Sequence, residues 1–572
     1  MAHASNTRHH TAAAIGPDHM TSPVDPDHTT RTAEPVSATR PVEPVSTTRT
    51  TEPVDTKPTN TKSTGTDTNT GIHTEPTHTT NQAHPQNPEQ PTPSRAHSNT
   101  GNLTHGPLIP AMLRFSIPYL ITCFLQSCYE LVDLLIVGRF NGADSVSAVS
   151  TGSQMTHLVT VTIVGLTTGA TVTISHAIGA KRMDKAQRQI GQSIRLFALV
   201  AIIATIILAT CADPLLRLLS TPPEAFSQAH DYVTICFLGI PFIVAYNVIS
   251  AIFRGFGDSR HPMYFVALAG LLNVGLDLAF IGGAHMQAAG AALATVISQV
   301  FSVAAALAYL NIADTGIRLR ATDLAYDWAG TRQILTIGTP IALQELCIQV
   351  SFIVITAIAN GRGLEISASV GIVEKIISFL FLVPSAMLST VSVVAGQNAG
   401  ARQHSRSKTA LRYGITMCVA YGAIVCIASQ IWGADIVRIF SPDDETVVRY
   451  GAQYLSSYSF DCILAGVHFC FSGFFSAYGK SMYTFAHNIA SVLLVRIPGA
   501  YAASLLWPDN LFPMGCAAPL GSLLSILICS ALYYLRSASG TRRRYKPSEN
   551  PTFLADAKCG SATHRNATPV RV

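Results

Sequence analysis

The second half of this chain repeats the first half at a nearly constant separation. Matching segments occur in the same order in both halves, about 221 residues apart. The pairs are Gly179–Arg182 with Gly400–Gln403 (400 − 179 = 221), Leu216–Ser220 with Val437–Ser441 (438 − 217 = 221), Phe256–Ser259 with Tyr478–Ser481 (479 − 257 = 222), and Pro118 with Pro340 (340 − 118 = 222). A repeat of this length predicts two homologous structural units of similar topology.

Apolar runs of membrane-spanning length fill both halves, between Pro110 and Arg536. A run of about 20 apolar residues crosses a bilayer as a helix, and only helices or closed barrels satisfy the backbone there. These runs are too long and too uniformly apolar for barrel strands. We expect twelve helices, at roughly 111–138, 146–177, 190–211, 231–253, 261–283, 287–311, 332–359, 367–395, 409–431, 448–476, 483–507 and 513–536.

The predicted fold is therefore all-α and integral to the membrane, with two six-helix lobes related by the repeat. Residues 106–312 form the amino-terminal lobe, 313–331 a cytoplasmic inter-lobe loop and 332–538 the carboxyl-terminal lobe. Residues 1–105 are rich in Thr, Pro and His and poor in large apolar residues, which is typical of a disordered tail. Residues 539–572 form a basic tail.

Basic residues alternate between the connecting loops and predict the orientation. One set of loops carries most of the Lys and Arg residues, including Lys181, Arg182, Arg402, Lys480 and Arg542, and this set faces the cytoplasm by the positive-inside rule. Both termini are then cytoplasmic. The net charge of +5 arises at these membrane edges, so it does not indicate nucleic-acid binding.

Polar residues inside the first lobe indicate an ion site, because charges in apolar spans are costly and usually functional. Asp133 lies within the first span, and Asn273 and Asp277 share a face of the fifth span at i, i+4 spacing. Thr295 lies in the sixth span and Asn247 in the fourth. Carboxylate, amide and hydroxyl oxygens suit a hard monovalent cation, and a desolvated carboxylate can instead carry a proton.

The second lobe has a different set of polar residues. Glu345 lies five residues after Pro340, and Asp461 lies three residues after Tyr458. Glu345, Asp461 and Tyr458 predict a second acidic site, and we expect the two acids to line the cavity and attract cations. Glu374 and Lys375 are adjacent in the eighth span, and Arg496 is an intramembrane arginine.

Short motifs in this order resemble the multidrug and toxic compound extrusion (MATE) family over about residues 108–540. They are Val132-Asp133 with Ile136–Arg139, then Gly179–Arg182, Arg254–Asp258 and Gly396–Ala401. The resemblance implies a two-lobe antiporter that expels amphipathic, often cationic compounds in exchange for inward H⁺ or Na⁺. Its amino-terminal ion site matches Asp133, Asn273, Asp277 and Thr295, and less closely Asn247. Its second-lobe acids correspond to Glu345 and Asp461, although Glu345 is nearer the proline than that pattern prefers.

We therefore expect a multidrug exporter of a bacterial plasma membrane, multi-pass and monomeric. Its partners are small organic substrates and the lipid bilayer. No cofactor, metal site or catalytic residue is expected beyond the coupling ion. A lipid-linked precursor flippase remains an alternative and would need a cavity lined with arginines. An intramembrane enzyme is a further alternative, but the spans contain no HExxH or GxSxG motif.

Overall fold

The fold is all-helical in the part of the chain that the computed structural model describes, residues 103–219, 221–312 and 320–540. The predicted tails before residue 103 and after residue 540, and residues 313–319 of the inter-lobe loop, lie outside the described residues.

Within these described residues, eleven helices are long and apolar enough to cross a membrane, and a bent pair makes twelve when it is counted as one span. We number these spans 1 to 12 along the chain, and they confirm the predicted fold class. The spans are Leu108–Phe140, Ala143–Gly179, Met183–Thr210, the pair Pro223–Leu238 and Ile240–Gly255, Arg260–Gly283, Gln287–Ile312, Trp328–Asn360, Leu364–Gly400, His404–Arg438, Glu445–Ala477, Ser481–Leu506 and Phe512–Leu535. A short helix, Ala212–Leu218, follows span 3, and a 3₁₀ turn, Ala321–Leu324, precedes span 7.

Breaks in the spans follow the internal repeat. Span 4 bends by 47° at Gly239. The next helix begins at Ile240, and Pro241 in its first turn lacks a backbone N–H to continue the hydrogen-bond ladder. Span 10 is interrupted at Ser459, the equivalent position of the second lobe (459 − 239 = 220). The two lobes therefore share local backbone irregularities as well as sequence motifs.

Glycine positions let the two lobes approach closely along span 2. A Cβ atom on Gly165 would lie 2.7 Å from the Cα atom of Ala342 in span 7. Gly169 meets the backbone of Gly338, and Gly179 meets the backbone of Gln397 in span 8. Small residues allow backbones to pack in van der Waals contact, which is how helices associate within lipid. The seam between the lobes is thus closed at the end that bears the basic loops.

The start of span 1 packs into the carboxyl-terminal lobe, although it precedes the amino-terminal lobe in sequence. Leu103, Met112 and Phe115 are buried in one cluster with residues of spans 8, 9 and 10. The backbone N–H of Leu103 donates to Oε1 of Gln397 at 3.1 Å, and the amide of Asn398 donates to the Leu103 carbonyl at 3.2 Å. Ordered structure therefore begins at least two residues before the predicted boundary at residue 105.

Two truncations can distinguish the role of this docked segment from that of the tail before it. Deleting residues 2–100 should leave transport and thermal stability close to those of the full chain, because Leu103 keeps its contacts. Deleting residues 2–106 should reduce the free energy of unfolding by roughly 1.5–3 kcal/mol, the usual value for burying a leucine. Thermal unfolding of the purified proteins measures the difference. Loss of stability on the shorter deletion would assign a structural role to the tail.

Candidate functional site

Two aspartates from different spans meet inside the amino-terminal lobe. Asp133 of span 1 is 5 % exposed and Asp277 of span 5 is fully buried. Their carboxyl groups lie close enough to interact directly. The hydroxyl of Thr295, in span 6, donates to Oδ2 of Asp133 at 3.3 Å. Three spans thus contribute oxygen atoms to one buried site. We call this site, formed by Asp133, Asp277 and Thr295, the acid pair site.

Several buried atoms of the acid pair site and of Asn273 have no hydrogen-bond partner within the protein. They are Oδ1 of Asp133, both carboxyl oxygens of Asp277 and both side-chain polar atoms of Asn273. Buried polar groups are costly without a partner, and buried charges more so. Two adjacent carboxylates also repel each other. A proton or a small cation would relieve both penalties, so this arrangement is chemically suited to bind one.

The helix geometry changes at the acid pair site. Span 5 is α-helical to Asp277 and continues as a π-helix over Leu278–Gly283. π-Helical turns are uncommon and occur often at functional sites, where the wider turn redirects neighbouring groups. Asn273 and Asp277 both lie on the buried face of the preceding α-helix, in agreement with the predicted i, i+4 relation.

Asn247 is placed differently from the other predicted members of this site. It is buried in span 4, and its amide nitrogen donates to the Ile243 carbonyl one turn earlier at 2.8 Å. Its amide donor is thus used within its own helix. The structure therefore brings together Asp133, Asp277 and Thr295 and places Asn273 one helical turn before Asp277 on the same buried face. It records no contact of Asn273 or Asn247 with the acid pair.

The second lobe contains an ion pair where an acidic site was expected. Oδ2 of Asp461 lies 2.8 Å from Nη2 of Arg496, and the same nitrogen donates to the Tyr458 hydroxyl at 3.0 Å. Asp461 is completely buried, so it does not line an open cavity as we expected. Glu374 lies near Arg496 and accepts a hydrogen bond from Thr356 at 2.8 Å.

Glu345 lies apart from that ion pair, in the space between the lobes. It is partly exposed and faces His157 of span 2. His157 is also 3.7 Å from Oε2 of Glu130, and these two side chains are about half exposed. Lys375 of span 8 interacts electrostatically with the same histidine. Together Glu130, His157, Glu345 and Lys375 form a charged group that we call the cleft cluster.

The cleft cluster lies on the side of the lobe contact that faces away from the basic loops. Phe124 of span 1 and Phe379 of span 8 meet edge to face, with ring centroids 6.3 Å apart. Glu130 follows Phe124, and Lys375 precedes Phe379, on the stretches that lead to the opposite membrane surface. The cleft cluster therefore lies between the lobes, on the side away from the close glycine contacts and the basic loops.

The sequence indicated most of these residues, but not which of them lie together in the structure. Glu374 was visible as an intramembrane acid, and Arg496 as an intramembrane cation. Their proximity to Tyr458 and Asp461 depends on how spans 8, 10 and 11 pack, which no sequence spacing shows.

Curated relatives of the chain are named as transport proteins. The probable multidrug resistance protein YoeA of Bacillus subtilis is 25 % identical over 431 residues, covering 74 % of this chain and 93 % of the relative. The multidrug export protein MepA of Staphylococcus aureus is 24 % identical, covering 74 % and 92 %. An FAD transporter of Shewanella oneidensis is 24 % identical, covering 76 % and 95 %.

Solved structures share the fold. A crystal structure of MATE in the straight conformation superposes with a TM-score of 0.73 at 22 % identity, covering 78 % of this chain and all of the other. A MOP superfamily transporter from Pyrococcus furiosus gives the same TM-score and identity.

Both halves of the chain also match one family profile separately. Residues 118–279 and residues 340–502 each match the MatE family, which confirms the internal repeat independently of the motifs. The chain belongs to the MatE family of multidrug efflux transporters.

Proposed function

We propose that the protein exports amphipathic organic compounds, often cationic, in exchange for inward H⁺ or Na⁺, by alternating access. The observation that carries this proposal is the acid pair site, in which Oδ1 of Asp133 and both carboxyl oxygens of Asp277 have no protein donor. Binding of a cation or proton there would favour one arrangement of span 1 against span 5. An ion drives a conformational change only when it binds the two states with different affinity.

The cleft cluster supports cationic compounds as substrates. Glu130 and Glu345 bring carboxylates from opposite lobes into the cleft, and both are accessible to a solute. An organic cation between them would neutralise both, while the adjacent Phe124 and Phe379 would contact its apolar part. Relatives named as multidrug export proteins are consistent with this substrate class.

A lipid-linked precursor flippase, or export of an anionic dinucleotide, would need free positive charge in the cleft. Arg496, the arginine that raised this alternative, is buried and paired with Asp461. Lys375 is the one cationic side chain of the cleft cluster, beside the two acids. These features favour the export of cations over the export of phosphate-bearing solutes.

Inside-out or reconstituted vesicles with imposed gradients test the proposed function. A pH or Na⁺ gradient should drive accumulation of an organic cation such as ethidium, and ethidium should in turn drive movement of the same ion. If neither gradient supports transport of any member of a cation panel, the proposal fails. We further propose a multi-pass monomer in a bacterial plasma membrane with both termini in the cytoplasm. Protease protection of a tag at each end tests the orientation.

A further inference from the structure

The two lobes differ in how the negative charges of their buried aspartates are compensated. In the amino-terminal lobe, Asp133 and Asp277 face each other, and Oδ1 of Asp133 and both oxygens of Asp277 have no donor. Within the described residues, no Lys or Arg side chain forms an ion pair with either acid. In the carboxyl-terminal lobe, Asp461 is equally buried and its Oδ1 also has no hydrogen-bond partner, but Arg496 lies 2.8 Å from its Oδ2.

Arg496 is held in place from several sides. Besides Asp461, its guanidinium contacts the hydroxyl of Tyr458 and lies over two aromatic rings, 5.8 Å from the centroid of Phe352 and 5.9 Å from that of Tyr458. It ends the π-helical turn Val492–Arg496 of span 11, two residues before Pro498. Aromatic faces attract a guanidinium, and desolvation strengthens that attraction. These contacts hold the Arg496 side chain in one position.

Other titratable groups also face this ion pair. Glu374 of span 8 and Tyr454 of span 10 interact with Arg496, and His468 of span 10 lies near it. His468 borders an enclosed cavity of about 30 Å³ together with Arg496, Asn488, Ser522 and Ser525. Its Nε2 atom is 3.3 Å from the Ser522 hydroxyl. Lys375 also interacts with Glu374, so with both acids ionised this region holds two negative charges and two positive charges.

We propose that Arg496 is a tethered cation that takes the place of an exchangeable ion in the carboxyl-terminal lobe. A guanidinium remains protonated at any physiological pH, so its charge cannot leave the site during a transport cycle. Asp461 therefore needs neither H⁺ nor Na⁺ to be compensated. The exchangeable ion binds only at the acid pair site. This inference rests on the proposed function for the identity of that ion, but the asymmetry between the lobes stands on the contacts alone.

Removing the tethered charge should create an ion site. Arg496→Gln leaves Asp461 buried without its cation, and such a carboxylate takes up a proton or a small cation. Relative to the wild type, the purified variant should gain about one bound Na⁺, or one group that titrates between about pH 5 and 9. Arg496→Lys keeps the charge and should gain neither. The double variant Asp461→Asn with Arg496→Gln removes both charges and should return to the wild-type count.

The measurements are Na⁺ titration calorimetry and proton release in detergent, on protein that is monodisperse by size exclusion. An Arg496→Gln protein that is folded but gains no ion would overturn the inference. If Arg496→Gln fails to fold, the ion count of the single variant Asp461→Asn tests the inference. That variant should keep the wild-type ion count, and losing one ion would show that Asp461 binds an exchangeable ion. Failure of the proposed function would appear separately, as a wild-type protein that binds neither ion at Asp133.

Discussion

Replacing Asp133 by asparagine should abolish gradient-driven export and leave membrane insertion intact. Asparagine has nearly the same shape and can still accept from Thr295, but it cannot ionise. Because coupling free energies between sites are typically ~1–3 kcal/mol, loss of the ion-dependent bias should reduce the export rate by roughly 5- to 150-fold. Ethidium efflux from vesicles under an imposed pH or Na⁺ gradient measures the effect.

Asp144 provides a matched control for this substitution. It is an exposed aspartate in the first turn of span 2, outside the acid pair site. Asp144→Asn removes the same charge and should export at the wild-type rate. Wild-type export by Asp133→Asn, at equal protein abundance, would show that the acid pair site is not required for coupling.

A larger side chain at Gly165 should block the transport cycle by separating the lobes. A Cβ atom there would lie 2.7 Å from the Cα atom of Ala342, and backbone cannot move aside as a flexible side chain does. Overpacking typically costs ~1–3 kcal/mol, so Gly165→Val should shift the population away from the closed seam by roughly 5- to 150-fold. Export should fall accordingly.

Thiol labelling can report the shift at Gly165 directly. Ser175 is fully buried beside Gly396 at the same seam. With the native cysteines replaced, Ser175→Cys should be labelled faster in the Gly165→Val background. Gly433→Val is the control, because a Cβ atom at Gly433 would meet no atom within 4 Å. Equal labelling and export in both backgrounds would show that the seam tolerates the added bulk.

The fold was predictable from the sequence because the bilayer permits few solutions. Apolar runs of spanning length must become helices, and the repeat between residues such as Pro118 and Pro340 divides them into equal lobes. The acid pair site could be predicted from the sequence for a related reason. A charge such as Asp133 inside an apolar run is rare, and the i, i+4 relation of Asn273 and Asp277 follows from helix geometry alone.

The second lobe was harder to predict because its polar groups belong to different clusters. Glu345 of span 7 and Asp461 of span 10 were grouped as the intramembrane acids of the second lobe. The packing instead turns Glu345 toward His157 and pairs Asp461 with Arg496. Helix rotation and tilt decide these contacts, and they are set by packing against other spans rather than by hydropathy. For the same reason, the docking of Leu103 in the second lobe was not visible in the sequence.

The ratio of counter-ion influx to substrate efflux, measured together in proteoliposomes, decides which lobe couples the ion. Asp277 belongs to the acid pair site, whereas Glu345 belongs to the cleft cluster. Asp277→Asn should therefore lower the ratio strongly, toward substrate leak without ion exchange. Glu345→Gln should keep the wild-type ratio and change which organic cations are carried, or how tightly. An unchanged ratio in Asp277→Asn, together with uncoupled transport in Glu345→Gln, would contradict the assignment of coupling to the amino-terminal lobe.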